Sequence, residues 1–299
     1  MSDLKIFDIR TEVKELKGTY VILEKSLQTL IEKNLEIFFG IKFLASEYST
    51  GKKHAGRIDT LGVDENCFPV IIEYKRSSNE NVINQGLYYL DWLMDHKAEF
   101  KLLTLDKLGK NISDKIEWSS PRLICVAGNF SKFDEHSVKQ MNRNIELIRY
   151  KKYENKLLLF ELVNAVSAVS ETNGQKNTHL KSKTVSDYIE QANKELKDRY
   201  FKVKDYILNL GDDIQEKTLK NYVAFRKIAN FACVEVHPNS NVVLLYLKVN
   251  PDKAEIIHNF TRDMRKIGHF GTGDLEVRIS NDDDFEKAKL LIEKSYENS

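Results

Sequence analysis

The sequence predicts a mixed α/β unit followed by a smaller α+β unit. Three observations lead there. Helical stripes alternate with short apolar runs of strand length in the first half, residues 164–186 lose periodicity and fill with Ser, Thr, Asn and Lys, and periodic segments then resume. At 299 residues, with 41% hydrophobic and 30% charged composition, the chain is long enough for two domains with separate cores. The expected division is 1–163, a linker over 164–186, and 187–299.

Tyr20 to Phe39 carries Leu23, Leu27, Leu30, Ile31, Leu35 and Phe38 at helical spacing, and Gly40 marks its end. "IKFLASEY", "GRIDTLGV" and "FPVIIEYK" follow as strands, the last two joined by a polar turn, which makes an antiparallel meander. Asn79 to about Lys97 returns to a helical stripe through Val82, Ile83, Gly86, Leu87, Leu90, Leu93 and Met94. "PRLICVAG" reads as a buried strand, 133–143 as a helix, and "IELIRYK" and "KLLLFELV" as two further strands. Beyond the linker, one helix is expected from an N-cap at Ser186 to Gly211. Strands around an "HPNSN" turn, a "GHFGTGD" loop, the strand "LEVRI" and a terminal helix from about Asp283 to Tyr296 complete the second unit.

Lys and Arg total 46 against 45 Asp and Glu, so no global positive field advertises nucleic acid, and any basic surface must be local. Cys67, Cys125 and Cys233 are far apart and form no C-x-x-C pair, which points to a reducing cytoplasm rather than a disulfide scaffold or zinc site. The longest apolar span, "LLLFELVNAVSAV", is too short for a bilayer and contains Glu161, and no signal segment follows the first Met, so no membrane role is expected.

The segment "GRIDTLGVDENCFPVIIEYK" ends with charge where a buried face should continue. Side chains alternate along a strand, so Ile71, Glu73 and Lys75 share one side, and Arg57, Asp59 and Leu61 share one side of the preceding strand. A three-residue loop, Glu65-Asn66-Cys67, pairs Asp64 with Phe68 and sets Asp59 opposite Glu73, with Cβ atoms about 5 Å apart. A loop of two or four residues would put the carboxylates on opposite faces. Facing like charges destabilise a sheet unless something positive lies between them, and a divalent cation is the economical candidate. Carboxylates completed by water and a phosphate are the usual way to hold Mg²⁺, and Lys75 is placed to reach the same phosphate.

Asp59 followed by Glu73-Tyr74-Lys75, with apolar residues before both, resembles the PD-(D/E)XK nuclease superfamily, over roughly Tyr20 to Trp92. "RID" stands where the superfamily pattern has Pro-Asp, and the arrangement is most similar to archaeal-type single-strand and mismatch endonucleases and to restriction-associated nuclease domains. The resemblance implies a restriction-endonuclease-like mixed sheet flanked by helices, and hydrolysis of DNA phosphodiester bonds with Mg²⁺, for which Mn²⁺ could substitute. It implies Asp59, Glu73 and the Tyr74 main-chain carbonyl as metal ligands and Lys75 as the residue assisting attack. It also implies a helix Glu, matched best by Glu24 and less well by Glu36 or Glu32, and a helix Gln, Gln85, with Tyr88 or Tyr89 one turn on. His54, Arg57 and Arg76 are weaker candidates for contacts to the DNA backbone. The alternative is a nucleic-acid-binding or scaffold protein that keeps the fold and does not cut.

In the second half His237, His258 and His269 lack metal-ligand spacing, and "GHFGTGD" lacks the ending and context of a phosphate loop. From about Tyr188 to Tyr296 the chain resembles a small domain of unknown function found after such nuclease domains, in relatives labelled "predicted transport protein". Arg226, Lys227, Arg262, Arg265 and Lys266 give it a basic surface suited to recognition, while a folding or homodimerisation module is an equal expectation.

Overall fold

The computed structural model describes residues 4–19, 24–75, 82–154, 156–166 and 184–299. Contacts divide the chain into units Met1–Glu171 and Thr172–Ser299. The first begins with a small ribbon, β1 (Ile6–Asp8) paired with β2 (Lys14–Leu16), and a short strand β3 (Gly18–Thr19). Where one helix was expected over Tyr20–Phe39, there are two, α1 (Glu24–Lys33) and α2 (Leu35–Phe39); residues 20–23 lie outside the described residues. Asn34 separates them because its side-chain amide donates to Leu30 C=O at 2.9 Å, a local bond that competes with helix propagation. Gly40 ends α2 at φ 64°, a left-handed conformation that glycine adopts without strain.

The meander follows as β4 (Ile41–Ser49), a short α3 (Gly51–His54), β5 (Arg57–Asp64) and β6 (Pro69–Lys75). Then come α4 (Val82–Asp95), α5 (Lys97–Leu108), α6 (Lys110–Ser113), β7 (Arg122–Ala127), α7 (Lys132–Lys139), β8 (Asn144–Tyr153) and β9 (Leu157–Val166). The sheet order is β3-β8-β7-β6-β5-β4, with β9 also on β8. Strands β6, β7 and β8 run parallel, while β4-β5-β6 and β8-β9 are antiparallel, so the sheet is mixed and has helices on its faces. Helix α5 was not legible in the sequence because only Phe100 and Thr104 of its residues are buried, too few for an apolar stripe.

One core lies between the sheet and α4. Leu61, Val63 and Ile71 of the hairpin pack there with Val82, Ile83, Leu90 and Leu93. Gly86 lets α4 approach, since a Cβ at that position would meet the Leu123 side chain at 2.4 Å. The opposite hairpin face carries Thr60 and Tyr74 toward α1.

In the second unit the helix expected from Ser186 to Gly211 is also two, α8 (Val185–Gln191) and α9 (Lys194–Leu208). Thr184, not Ser186, caps α8: its hydroxyl accepts from Asp187 N–H while the Asp187 carboxylate accepts from Thr184 N–H at 2.7 Å. Ala192 and Asn193 are extended, and Asn193 caps α9 by accepting from Leu196 N–H at 2.8 Å. Of the expected linker 164–186, residues 167–183 lie outside the described residues. Strands β10 (Gln215–Thr218), β11 (Val223–Arg226), β12 (Asn230–His237), β13 (Val242–Leu247), β14 (Thr261–Asp263) and β15 (Leu275–Ile279) form an antiparallel sheet in the order β10-β11-β12-β13-β15-β14. The final helix α10 (Asp282–Glu297) joins α8 and α9 over one core, which includes Leu196, Val203, Phe225, Phe231, Val277 and Ile292. No helix among the described residues is long and apolar enough to cross a membrane.

Candidate active site

The hairpin is locked at its turn. Cys67 takes φ 64°, Asp64 N–H donates to Phe68 C=O at 2.9 Å, and Asp64 Oδ1 accepts from the main-chain N–H groups of Asn66 and Phe68 at 2.9 and 2.8 Å. The loop therefore has three residues, the variety in which a type I turn ends on a left-handed residue. Asp64 Oδ2 in turn accepts from Arg122 Nη1 at 2.9 Å, and Arg122 grips Glu146 through two bonds of 2.8 and 2.9 Å. All three side chains are at most 5% exposed. Burial works against the Arg122 charge, but the two carboxylates outweigh it and hold the guanidinium well above its ordinary pKa.

The ladder then runs Val63↔Pro69, Gly62↔Val70, Leu61↔Ile71 and Thr60↔Ile72, and the same register continued brings Asp59 opposite Glu73. At that level side chains take over from main chain. Glu73 Oε1 accepts from Asp59 N–H at 3.2 Å, and Asp59 Oδ2 accepts from Tyr74 N–H at 3.0 Å. Each carboxylate thus reaches across to the other strand's backbone. Glu73 is fully buried and Asp59 half-buried, with Lys75 half-buried at the end of β6. Asp59 C=O is held from the other side by Gln28 Nε2 at 2.8 Å. The Glu73 charge, together with burial as the larger cause, pushes the neighbouring Cys125 thiol up.

Asp59 lines a polar cleft of about 470 Å³ with Arg57, Gln85, Tyr89, Glu47 and the loop after β4. Thr50 closes that loop: its hydroxyl accepts from Gly56 N–H at 3.0 Å while its N–H donates to Gly56 C=O at 3.0 Å. Gly56 is required for close approach, because a Cβ there would meet the Tyr89 ring at 2.6 Å. Tyr89 Oη accepts from Arg57 N–H at 3.2 Å and from Gln85 Nε2 at 3.4 Å, so α4 braces the cleft and aims Gln85 into it.

The structure brings Asp59, Glu73, Arg57 and Gln85 to one end of the hairpin, with Lys75 two residues beyond Glu73. His54 ends α3, its ring 5.2 Å from Tyr88 and 6.1 Å from His96, beside the cleft rather than among its lining residues. The Tyr74 side chain lies on the α1 face, its phenol pushed up in pKa by burial and by the charges of Glu32, Asp59 and Glu73. Glu32 is on that same face: the Thr60 hydroxyl donates to its Oε1 at 2.7 Å and lies 3.2 Å from Tyr74 Oη. Glu36 is exposed on α2. Glu24 is the first residue of α1, and its side chain, like the whole of Arg76, lies outside the described residues.

Sequence reasoning missed Glu47. It sits in β4 between Ser46, paired with Thr60, and Tyr48, paired with Ile58, so it stands beside Asp59, and it has φ 52°. Lys25 Nζ lies 2.7 Å from one of its oxygens and Arg57 Nε 3.7 Å from the other. The Lys25 bond, aided by Arg57, holds the Glu47 carboxyl below its ordinary pKa despite partial burial. No spacing in "IKFLASEYS" signals a left-handed residue there.

The donors at the hairpin end are hard oxygens, two carboxylates and a strand carbonyl, the kind that suits a hard divalent cation rather than zinc or copper. Among the described residues no group of three or more His, Cys, Asp and Glu side chains is placed to hold a metal by itself.

Residues 185–299 match a domain of unknown function, DUF5655. Across 98% of this chain and 99% of its own length, a protein of Haemophilus influenzae described only as uncharacterized is 29% identical over 304 residues. Two solved structures overlap part of the chain: a repair endonuclease from Pyrococcus abyssi, at 18% identity and TM-score 0.29, and EndoMS in a complex with double-stranded DNA, at 16% and 0.25. They cover 48% and 49% of this chain, which spans 61% and 64% of theirs. At those scores neither structure defines an activity for this chain.

Proposed function

We propose that the first unit is a Mg²⁺-dependent nuclease of the PD-(D/E)XK type that hydrolyses DNA phosphodiester bonds, in genome maintenance or defence, and that the second unit serves recognition or assembly. The observation that carries this is the reciprocal crossing of Asp59 and Glu73, which puts two carboxylates at one point of the sheet beside Lys75 and a polar cleft. The resemblance of the motif and the hard-oxygen donor set support it.

In this reading Asp59, Glu73 and the Tyr74 main-chain carbonyl hold the ion. When bound, it polarises a phosphoryl oxygen and lowers the pKa of a water. Lys75 orients the attacking water and offsets charge that grows on the phosphoryl oxygens as the P–O bond to the leaving oxygen breaks. Gln85, held by Tyr89, aligns the substrate on the cleft side of Asp59. Arg57 contacts a strand phosphate.

A non-cutting DNA-binding scaffold is the second reading, favoured by the fact that both carboxylates already accept main-chain N–H bonds and so act as caps for the hairpin end. Wild type, Asp59→Ala and Lys75→Ala on single-stranded, duplex and branched DNA, each with Mg²⁺ or Mn²⁺, separate the two. Cutting by wild type alone supports the nuclease. Equal residual cutting by all three proteins removes the site assignment, and tight binding without cutting selects the scaffold.

A further inference from the structure

The edge of the cleft holds a charge arrangement of which the catalytic reading uses only Arg57. Ser46 points to the α1 face, where its hydroxyl accepts from Gln28 Nε2 at 3.2 Å. Tyr48, two residues on, packs on the other face against Trp92 with ring centroids 5.8 Å apart. A regular strand keeps i and i+2 on one side, so the left-handed Glu47 between them inverts the alternation. A non-glycine residue at φ 52° is strained, and such strain persists only where the surroundings hold it. Here β4 is the sheet edge, and the turn directs the Glu47 carboxylate between two cations from different elements, Lys25 of α1 and Arg57 of β5.

A carboxylate beside Asp59 is a poor neighbour for a DNA strand, since it adds repulsion at the place where the strand must pass. It is compatible with binding if it stands in for a phosphate. The contacts are unequal in the way a replaceable stand-in requires: Lys25 is in full contact, while Arg57 at 3.7 Å is engaged through charge only. Both cations are more than half exposed, so each can swing to a new anion without unpacking the core.

We propose that Lys25, Glu47 and Arg57 form a masked subsite for a backbone phosphate next to the scissile one, with Glu47 occupying the cations until a strand phosphate displaces it. The inference rests on the phosphodiester reading of the cleft, and it adds a residue that repels substrate by design. Masking gives selectivity: a weakly held anion does not displace Glu47, whereas a strand already anchored at Asp59 and Glu73 does so at high effective concentration.

The test is binding of a short fluorescein-labelled single-stranded oligonucleotide over a salt series with Ca²⁺ in place of Mg²⁺, which supplies a cation at Asp59 and Glu73 without the strict octahedral geometry of Mg²⁺, so that the strand is anchored and not cut. Glu47→Gln should bind about threefold more tightly than wild type, the scale of one exposed charge pair. Lys25→Gln and Arg57→Gln should each bind about threefold more weakly, and each should lower the slope of log K against log salt by roughly 0.7. Glu47→Gly, which suits the left-handed backbone, serves as second variant should the Gln protein fold poorly. Glu47 variants that bind no more tightly than wild type overturn the mask while leaving the nuclease reading in place. Absence of any oligonucleotide binding by wild type overturns the phosphodiester reading and the subsite with it. Inorganic phosphate that competes as well as the oligonucleotide, charge for charge, overturns the assignment to a strand.

Discussion

Arg122→Met is the most exacting test of how this fold places its site. Arg122 makes three charge-assisted bonds, all 2.8 to 2.9 Å, to two carboxylates that are themselves 2% and 4% exposed. At about 1.5 kcal/mol net per bond to a charged group, the loss of all three costs roughly 4.5 kcal/mol. That agrees with the about 3–5 kcal/mol expected when one partner of a buried pair is removed and the other is left unpaired. In a unit of this length such a loss lowers Tm by roughly 10 °C, measurable by calorimetry and by urea melts of the full chain. Replacing the triad together, as Asp64→Asn, Arg122→Met and Glu146→Leu, should recover most of the loss, because the introduced amide keeps a side-chain oxygen that can accept from the turn's N–H groups. An Arg122→Met protein within about 1 kcal/mol of wild type would refute the view that this network sets the hairpin register.

Three further outcomes are expected. Glu73→Gln keeps the Oε1 that accepts from Asp59 N–H but removes the carboxylate charge, so if the proposed Mg²⁺ site is right, Mg²⁺ should raise the Tm of wild type and not that of the variant, read by differential scanning fluorimetry. Glu47→Gly should be more stable than Glu47→Ala by about 1 kcal/mol in urea, since both lack the carboxylate and only glycine relieves φ 52°. The Glu47 pKa is held down in the fold, so the stability it contributes is present above the ordinary carboxylate range and is lost as pH falls through the lowered value. Glu47→Gln should accordingly show a flatter acid limb in a Tm against pH series.

The hairpin was legible because its signals are short-range. Alternation in "GRIDTLGV" and "FPVIIEYK" fixes which side chains share a face, and reading the polar turn as three residues, rather than two or four, sets Asp59 opposite Glu73 without knowing what packs around them. Helix boundaries were less legible for a local reason of another kind: Asn34 and the Thr184–Asp187 box act through single hydrogen bonds that an apolar stripe does not reveal. The cleft was legible only in part. Arg57 and Gln85 announce themselves by position in the motif, whereas Glu47 and Gln28 enter through pairing between β4 and β5 and the packing of α1, contacts 31 residues apart for Gln28 and Asp59. Nothing in "SEYS" distinguishes a strained residue from an ordinary edge residue, because the strain comes from where Trp92 and Lys25 stand.

The two ends of this hairpin divide the work. At the turn end, Asp64 commits both oxygens to order: one fixes the loop, the other joins the Arg122–Glu146 pair. That end determines register, and a slip of one residue would put the carboxylates on opposite faces. At the open end the ladder stops after Thr60↔Ile72, and Asp59 and Glu73 carry the cross-strand bonds through their side chains. Those bonds are weaker constraints than a ladder, so the open end alone would not hold two like charges face to face. It can do so because the register is imposed from the turn, 5 residues away along either strand, where burial makes slippage unfavourable. A site assembled this way should therefore fail by loss of register when the turn is damaged and by loss of chemistry when Asp59→Asn removes the charge but keeps an oxygen to accept from Tyr74 N–H. The two failures differ in one observable: the first lowers Tm together with any DNA cutting, the second leaves Tm in place.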